Sequence, residues 1–174
     1  MSLLWLEKQG YIKVYYGDAT RVSMNSYLPS AWQPKGKPIG LNVFGLLNHD
    51  HDFHAYTTKQ SINSGLIVGF IDDFLKNAPK GIKVIVLDNA PTHRSEEFED
   101  QLQRWQKQDL FIFFLPRYAP HLNIIETLWR KIKYEWLEQH TFKGSNDFFK
   151  ALEFILLHIG TIFKINFVNP ILSK

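Results

Sequence analysis

The run "IKVIVLDNAPTHRS" occupies residues 82–95. Its opening, Ile82–Leu87, is apolar except for Lys83 and rich in β-branched residues, which suits a strand buried on both faces. Such a strand belongs inside a sheet covered by helices above and below. The run ends on Asp88. The pair Asp88-Asn89 reads either as an Asx turn that closes the strand or as a site residue held at the strand's carboxyl end. Residues 92–108 then read as a helix with Phe98, Leu102 and Trp105 on one face. Its acids come early and its bases late, as the helix dipole favours.

The pattern extends in both directions. Upstream, "YIKVYYGDA" (11–19) is a strand in which Ile12, Val14 and Tyr16 alternate with Lys13 and Tyr15, and it ends at Gly17-Asp18. "LNVFGLLN" (41–48) and "FHAYTT" (53–58) are strands joined by the polar turn "HDHD" (49–52). Residues 63–81 read as a helix capped by Asn63 or Ser64 and stopped by Pro79 and Gly81. Downstream, "LFIFFLP" (110–116) is another buried strand. Residues 123 to about 138 form a third helix and 145–159 a fourth. Residues 28–40, with three prolines, form a loop or wide hairpin. Three leading strands are expected to pair antiparallel, and the later strand–helix alternation to give parallel pairing. The expected fold is α/β: a mixed sheet with helices on both faces, compatible with a ribonuclease H-like topology.

The chain has 174 residues, enough for one domain with a full-sized core. Cysteine is absent, which removes disulfides and thiolate metal sites. The formal net charge of +3 permits nucleic-acid binding without requiring it. The first ten residues, "MSLLWLEKQG", lack the features of a signal peptide. The apolar stretch "FFKALEFILLHIG" is too short to span a bilayer.

Three carboxylates fall at element ends. Asp18 follows the first strand, Asp88 ends the central one, and Glu126 begins the third helix. If the two strands are neighbours, Asp18 and Asp88 lie side by side at the sheet edge, and a helix entering over that edge brings Glu126 to them. Three packed carboxylates repel one another, and divalent cations resolve that repulsion. Each also has a plainer reading: Asp18 as a turn residue, Asp88 in an Asx turn, and Glu126 as the N3 partner of Asn123 in a capping box or as an i, i+4 partner of Arg130. The rival cluster "HDHDFH" (49–54) concentrates possible metal ligands. Adjacent residues in a tight turn point in different directions, so a solvated hairpin turn is expected there.

The blocks "VLDNAPTHRS" (86–95) and "FFLPRYAPHLNIIETLWRKIKYEWL" (113–137) resemble the catalytic core of DDE transposases. They are most similar to bacterial insertion-sequence transposases allied to the mariner superfamily. Asp88, Asn89, Ala90 and His93 match that family's second acid and the residues after it. Leu115, Pro116, Tyr118, Pro120, Leu122, Asn123, Ile125, Glu126 and Trp129 match the block of its third acid, and Asp18 matches the first. "AWQPKGKP" (31–38) is similar to the family's Trp-containing hairpin. Ala19 stands where many relatives carry Glu, and Ile124 where Pro is frequent.

The resemblance implies a single DDE catalytic, ribonuclease H-like domain over residues 1–174, without the helix-turn-helix region of full-length relatives. It implies metal-dependent cleavage at transposon ends and transfer of the freed 3′-hydroxyl into target DNA. Asp18, Asp88 and Glu126 are then the catalytic residues and metal ligands, holding two Mg²⁺ or Mn²⁺ ions. Arg94, Arg117, Arg130, Lys131, Lys133, Lys35 and Lys37 are the expected DNA contacts, with Asn89, His93 and Asn123 in support. Expected partners are DNA, a second copy in a homodimer and a separately encoded helix-turn-helix subunit, with no membrane. The expected location is the bacterial cytoplasm, at the nucleoid when bound to DNA. A stand-alone nuclease or resolvase, or a silent remnant that binds DNA or dimerises, is the alternative. Trp129 and Trp136, with Ile125, Leu128 and Ile132, make an apolar helix face expected to lie in the core.

Overall fold

The computed structural model describes residues 2–24, 39–116, 122–138 and 142–167. Five strands form one sheet in the order β3-β2-β1-β4-β5. They are β1 (Ile12–Ser23), β2 (Gly40–Leu47), β3 (Phe53–Thr58), β4 (Ile82–Leu87) and β5 (Leu110–Phe114). β1 and β3 run antiparallel to β2, whereas β4 runs parallel to both β1 and β5. The helices are α1 (Leu3–Lys8), α2 (Ser64–Asn77), α3 (Glu96–Glu99), α4 (Leu102–Gln106), α5 (Ile125–Lys131) and α6 (Ser145–Leu157). The mixed sheet expected from the sequence is the one observed.

Side-chain alternation along the strands sorts the core into two layers. Ile12, Val14, Tyr16, Val84 and Val86 pack with Ile125, Leu128 and Trp129 of α5 and with Phe148 and Leu152 of α6. Tyr15, Ile85 and Leu87 pack against Ile67, Ile71 and Phe74 of α2 and against Phe98 and Trp105. β4 is therefore buried on both faces from Lys83 to Leu87, as its largely apolar run requires.

Several elements differ from the sequence reading. The first strand does not end at Gly17-Asp18. It continues to Ser23, because β2 stays paired with it as far as Ser23–Gly40. The expected helix over 92–108 is broken into a 3-10 turn at Pro91–His93, α3 and α4. The Ser95 hydroxyl accepts the Phe98 N–H at 3.3 Å and starts α3 afresh. Phe98 and Trp105 are nevertheless both fully buried. β5 is an edge strand rather than a fully buried one. Leu110 is buried but Phe111 and Phe113 are exposed, because β5 lies at the sheet margin.

The leading helix α1 had no sequence signal beyond Ser2, whose hydroxyl accepts the Trp5 N–H. The "HDHD" turn is tied into the fold rather than solvated. The Asn48 side chain accepts the N–H groups of Asp50 and Asp52. Asp52 accepts the Tyr15 hydroxyl at 2.6 Å, and His51 Nε2 lies 2.8 Å from the Ile165 carbonyl. The expected 28–40 hairpin, with Trp32, Lys35 and Lys37, lies almost wholly outside the described residues.

Candidate active site

The parallel register pairs Tyr16 with Val86. Continued by two residues, it sets Asp18 level with Asp88 at the carboxyl ends of β1 and β4. Both have the side-chain parity of Tyr16 and Val86, so both point to the face covered by α5. β4 stops at Leu87, whereas β1 runs on beside β2 alone, with Asp18 opposite Gly45. The second half of β1 thus borders a crevice at the place where open α/β sheets hold ligands.

α5 enters over this crevice, and Asn123 fixes its start. The Asn123 side chain, 4% exposed, donates from Nδ2 to the Gly17 carbonyl at 3.2 Å. This overturns the capping box. The residue flanking the helix is Ile124, which makes no side-chain cap bond, and Glu126 is the second residue of α5. The Nδ2 bond to Gly17 turns the Asn123 side chain toward β1, and its Oδ1 takes up no N–H of α5. No ion pair joins Glu126 to Arg130 among the described residues. Replacing Asn123 with Ala removes a buried donor and leaves the Gly17 carbonyl short of a partner, which costs about 1–2 kcal/mol. A drop of several degrees in the thermal midpoint, followed by circular dichroism, is the expected result.

The three carboxylates interact. Burial pushes the Asp18 carboxyl up to about 7, and the charges of Glu126 and Asp88 push the same way, while the Ala19 N–H and His93 oppose them. Asp88 moves in the opposite direction. Its carboxyl is held below the usual range chiefly by His93, helped by the Ala90 N–H. His93 Nδ1 lies 2.7 Å from Asp88 Oδ1, and the Ala90 N–H is 3.0 Å from the same oxygen. A carboxylate only accepts, so the His93 proton sits on Nδ1. The imidazole is 2% exposed, and Nε2 has no partner among the described residues. Asn89 donates to the Leu115 carbonyl and so ties the ends of β4 and β5 together. His93, Asn89 and Asn123 therefore all touch the frame of the site.

Among the described residues, no three His, Asp or Glu side chains are gathered closely enough to close on one ion. The donor set nevertheless suits a hard divalent cation: it is carboxylate oxygen, and at Asp18 it carries the mutual repulsion that a cation relieves. Asp18, Asp88 and Glu126 are the groups that could hold one.

The expected DNA contacts divide. Lys133 lies in a π-helical turn, Ile132–Trp136, that continues α5. Its Nζ donates to Thr20 Oγ1 on β1 at 2.5 Å. Burial lowers its pKa, while the charges of Glu126 and Asp18 act to raise it. Arg130 is exposed, and Lys131 pairs with Glu135 at 2.6 Å. Arg94 pairs with Glu99 and stacks its guanidinium 4.4 Å from the centre of the Phe114 ring. Arg117, Lys35 and Lys37 lie outside the described residues.

Trp129 is in the core, as its helix face required, but it also makes a polar contact that the sequence did not signal. Its Nε1–H donates to Asp18 Oδ2 at 3.1 Å. Trp136 is only partly buried and packs against Phe163. No helix among the described residues is long and apolar enough to cross a membrane.

Residues 13–148 match the family described as DDE superfamily endonuclease. No curated protein matches the chain in sequence. Among solved structures, the chain is similar to the Mos1 transposase paired-end complex with left transposon end (14% identity, TM-score 0.65, 89% of this chain and 51% of that one). It is also similar to the catalytic domain of Mos1 mariner transposase (14% identity, TM-score 0.61, 89% and 75%). The catalytic core domain of BIV integrase is a third such structure (11% identity, TM-score 0.58, 88% and 87%). At these identities the likeness is one of fold. The chain spans about half the length of the Mos1 transposase in the paired-end complex.

Proposed function

The chain belongs to the DDE superfamily endonuclease family, and on that premise we propose that it is the catalytic domain of a transposase. The proposed reaction is metal-dependent. Water attacks a phosphodiester at the transposon end, the P–O3′ bond breaks, and a 3′-hydroxyl is released. That hydroxyl then attacks a phosphodiester of target DNA, joining the strands and expelling a second 3′-hydroxyl. The observation that carries the reading is the placement of Asp18 and Asp88 at the carboxyl ends of two adjacent parallel strands, with Glu126 in the first turn of α5, in a chain of the DDE endonuclease family.

Asp18 and Asp88 would hold the cations from the sheet, and Glu126 would complete the ligand set from α5. When bound, Mg²⁺ or Mn²⁺ supplies charge stabilisation to the phosphate under attack and to the leaving oxygen. Asn123 sets the entry of α5 and so the reach of Glu126. His93 holds Asp88 ionised. Lys133, beside the carboxylates, neutralises a phosphate of the bound strand, and Arg130 and Lys131 extend the cationic surface along the same helix. The Mos1 complex holds transposon ends, and DNA ends are the substrate proposed for this chain. A dimer and a separate helix-turn-helix subunit belong to the same proposal.

The test is nicking of DNA that carries the element's ends, with Mn²⁺ or Mg²⁺ and with chelator. The expected result is end-specific nicking that disappears with EDTA and returns with added cation. Metal-dependent nicking without regard to the ends would assign the chain to a stand-alone nuclease. No metal-dependent nicking, even with a helix-turn-helix partner supplied, would sink the enzyme reading.

A further inference from the structure

We propose that Trp129 is a positioning residue that aims the Asp18 carboxylate, and that Gly45 exists at its position to admit the indole. This rests on the reading that Asp18 holds a cation.

A core Trp that only filled space would need some partner for its N–H, because buried indoles are rarely left unpaired. Trp129, 2% exposed, finds that partner in Asp18 Oδ2, 111 residues away in the chain. The contact depends on how closely the ring approaches the sheet. Gly45 is the residue paired with Asp18 across β1 and β2. A Cβ at Gly45 would stand 2.6 Å from Trp129 Cη2, 2.9 Å from Cζ2 and 3.0 Å from Ile125 Cδ1. The six-membered ring therefore lies against bare backbone, and only a glycine leaves it room. Phe53 borders the indole at 6.2 Å between ring centres, in an edge-to-face arrangement.

The two strand aspartates then share one logic. On Asp88, His93 and the Ala90 N–H engage Oδ1 and leave Oδ2. On Asp18, Trp129 donates to Oδ2, and the Ala19 N–H also reaches the carboxylate. Each carboxylate thus has an oxygen held by a protein N–H donor. An indole N–H suits this task because it donates in one fixed direction and brings no formal charge to compete with a cation. Trp129 also lies one helical turn beyond Glu126 on α5, so the helix that brings the third acid also aims the first.

The test compares Mn²⁺ affinity by isothermal titration in the wild type, in Trp129→Phe, in Gly45→Ala, and in a chain with benzothienylalanine at position 129. The last keeps the bicyclic shape and replaces N–H by sulfur. Partners that orient metal ligands are worth about 10–100-fold in affinity. We expect the phenylalanine and benzothienyl variants to bind about tenfold more weakly while keeping a cooperative melt, and Gly45→Ala to weaken binding through displacement of the ring. In ¹⁵N spectra, the one indole N–H resonance lost in Trp129→Phe is expected to move in Asp18→Ala, a signature that space-filling alone does not produce. If Trp129→Phe or Gly45→Ala fails to fold, the benzothienyl chain decides. Wild-type affinity in that chain overturns the inference and leaves the proposed function standing. No Mn²⁺ binding by the wild type overturns both.

Discussion

Asp88→Asn should abolish DNA nicking while the chain still folds. The substitution keeps the shape of the side chain and removes its charge. A cation held against a phosphate supplies several kcal/mol of stabilisation to the reacting charge, and losing about 4 kcal/mol slows the step about a thousandfold. The side chain of Asp88 is 49% exposed, so the amide meets little steric resistance. Its carboxyl is held below the usual range chiefly by His93. Its ionised form therefore stabilises the fold above the ordinary Asp pKa, and that contribution fades as pH falls. Asp88→Asn gives up this contribution at neutral pH, and a far-UV spectrum separates such a loss from loss of chemistry. Nicking of end-bearing DNA in Mn²⁺ is the measurement, and a wild-type rate would remove Asp88 from the site.

Asp18→Asn should make the metal-free protein more stable than the wild type at neutral and higher pH. Asp18 titrates at about 7 in the fold against 3.8 when unperturbed, first because it is buried and then because Glu126 and Asp88 repel its charge. Below the unfolded value both states carry the proton and the fold loses nothing. As pH rises toward 7 the unfolded chain releases its proton first, so folding stability falls, and above 7 the loss is complete. Each tenfold in proton affinity is worth about 1.4 kcal/mol, which puts the total at a few kcal/mol. Asparagine carries no such cost and still offers Oδ1 to the Trp129 indole. Thermal melts in EDTA from pH 4 to 8 should show a gap of several degrees above pH 7 that closes toward pH 4. Added Mg²⁺ should raise the wild-type midpoint and leave Asp18→Asn almost unmoved. A constant gap at every pH would mean that Asp18 carries no such penalty.

Much of the frame was legible in the sequence, because long apolar runs and alternation report burial directly. Ile82–Leu87 reads as a doubly covered strand and is one. Asn63, Pro79 and Gly81 bracket α2, and Asn63 does accept the Leu66 N–H. Misreadings arose where a local signal lost to a partner distant in sequence. Asn123 has the spacing of a cap, yet its amide goes to Gly17. Gly17-Asp18 looks like a strand end, yet pairing with β2 carries β1 onward. Phe111 and Phe113 are apolar like their neighbours, and only the place of β5 at the sheet margin leaves them exposed. At the candidate site the three acids were visible as residues at element ends. The Trp129–Asp18 contact was not, because helical periodicity places an indole in the core but does not say where its N–H points. The one available signal was Gly45, a glycine inside an apolar strand, which marks a close approach.

The Asn123–Gly17 hydrogen bond spans 106 residues of chain. Contacts of such separation carry the largest loop-closure cost and form late, after hairpins and helices. α5 packs on β1 and β2, so it can dock only once these strands are in place. The carboxylates are therefore scattered along the nascent chain and meet only once the sheet and α5 have assembled. A half-made copy, still emerging or partly collapsed, carries the acids but no assembled centre. The three acids are brought together only when the molecule is finished.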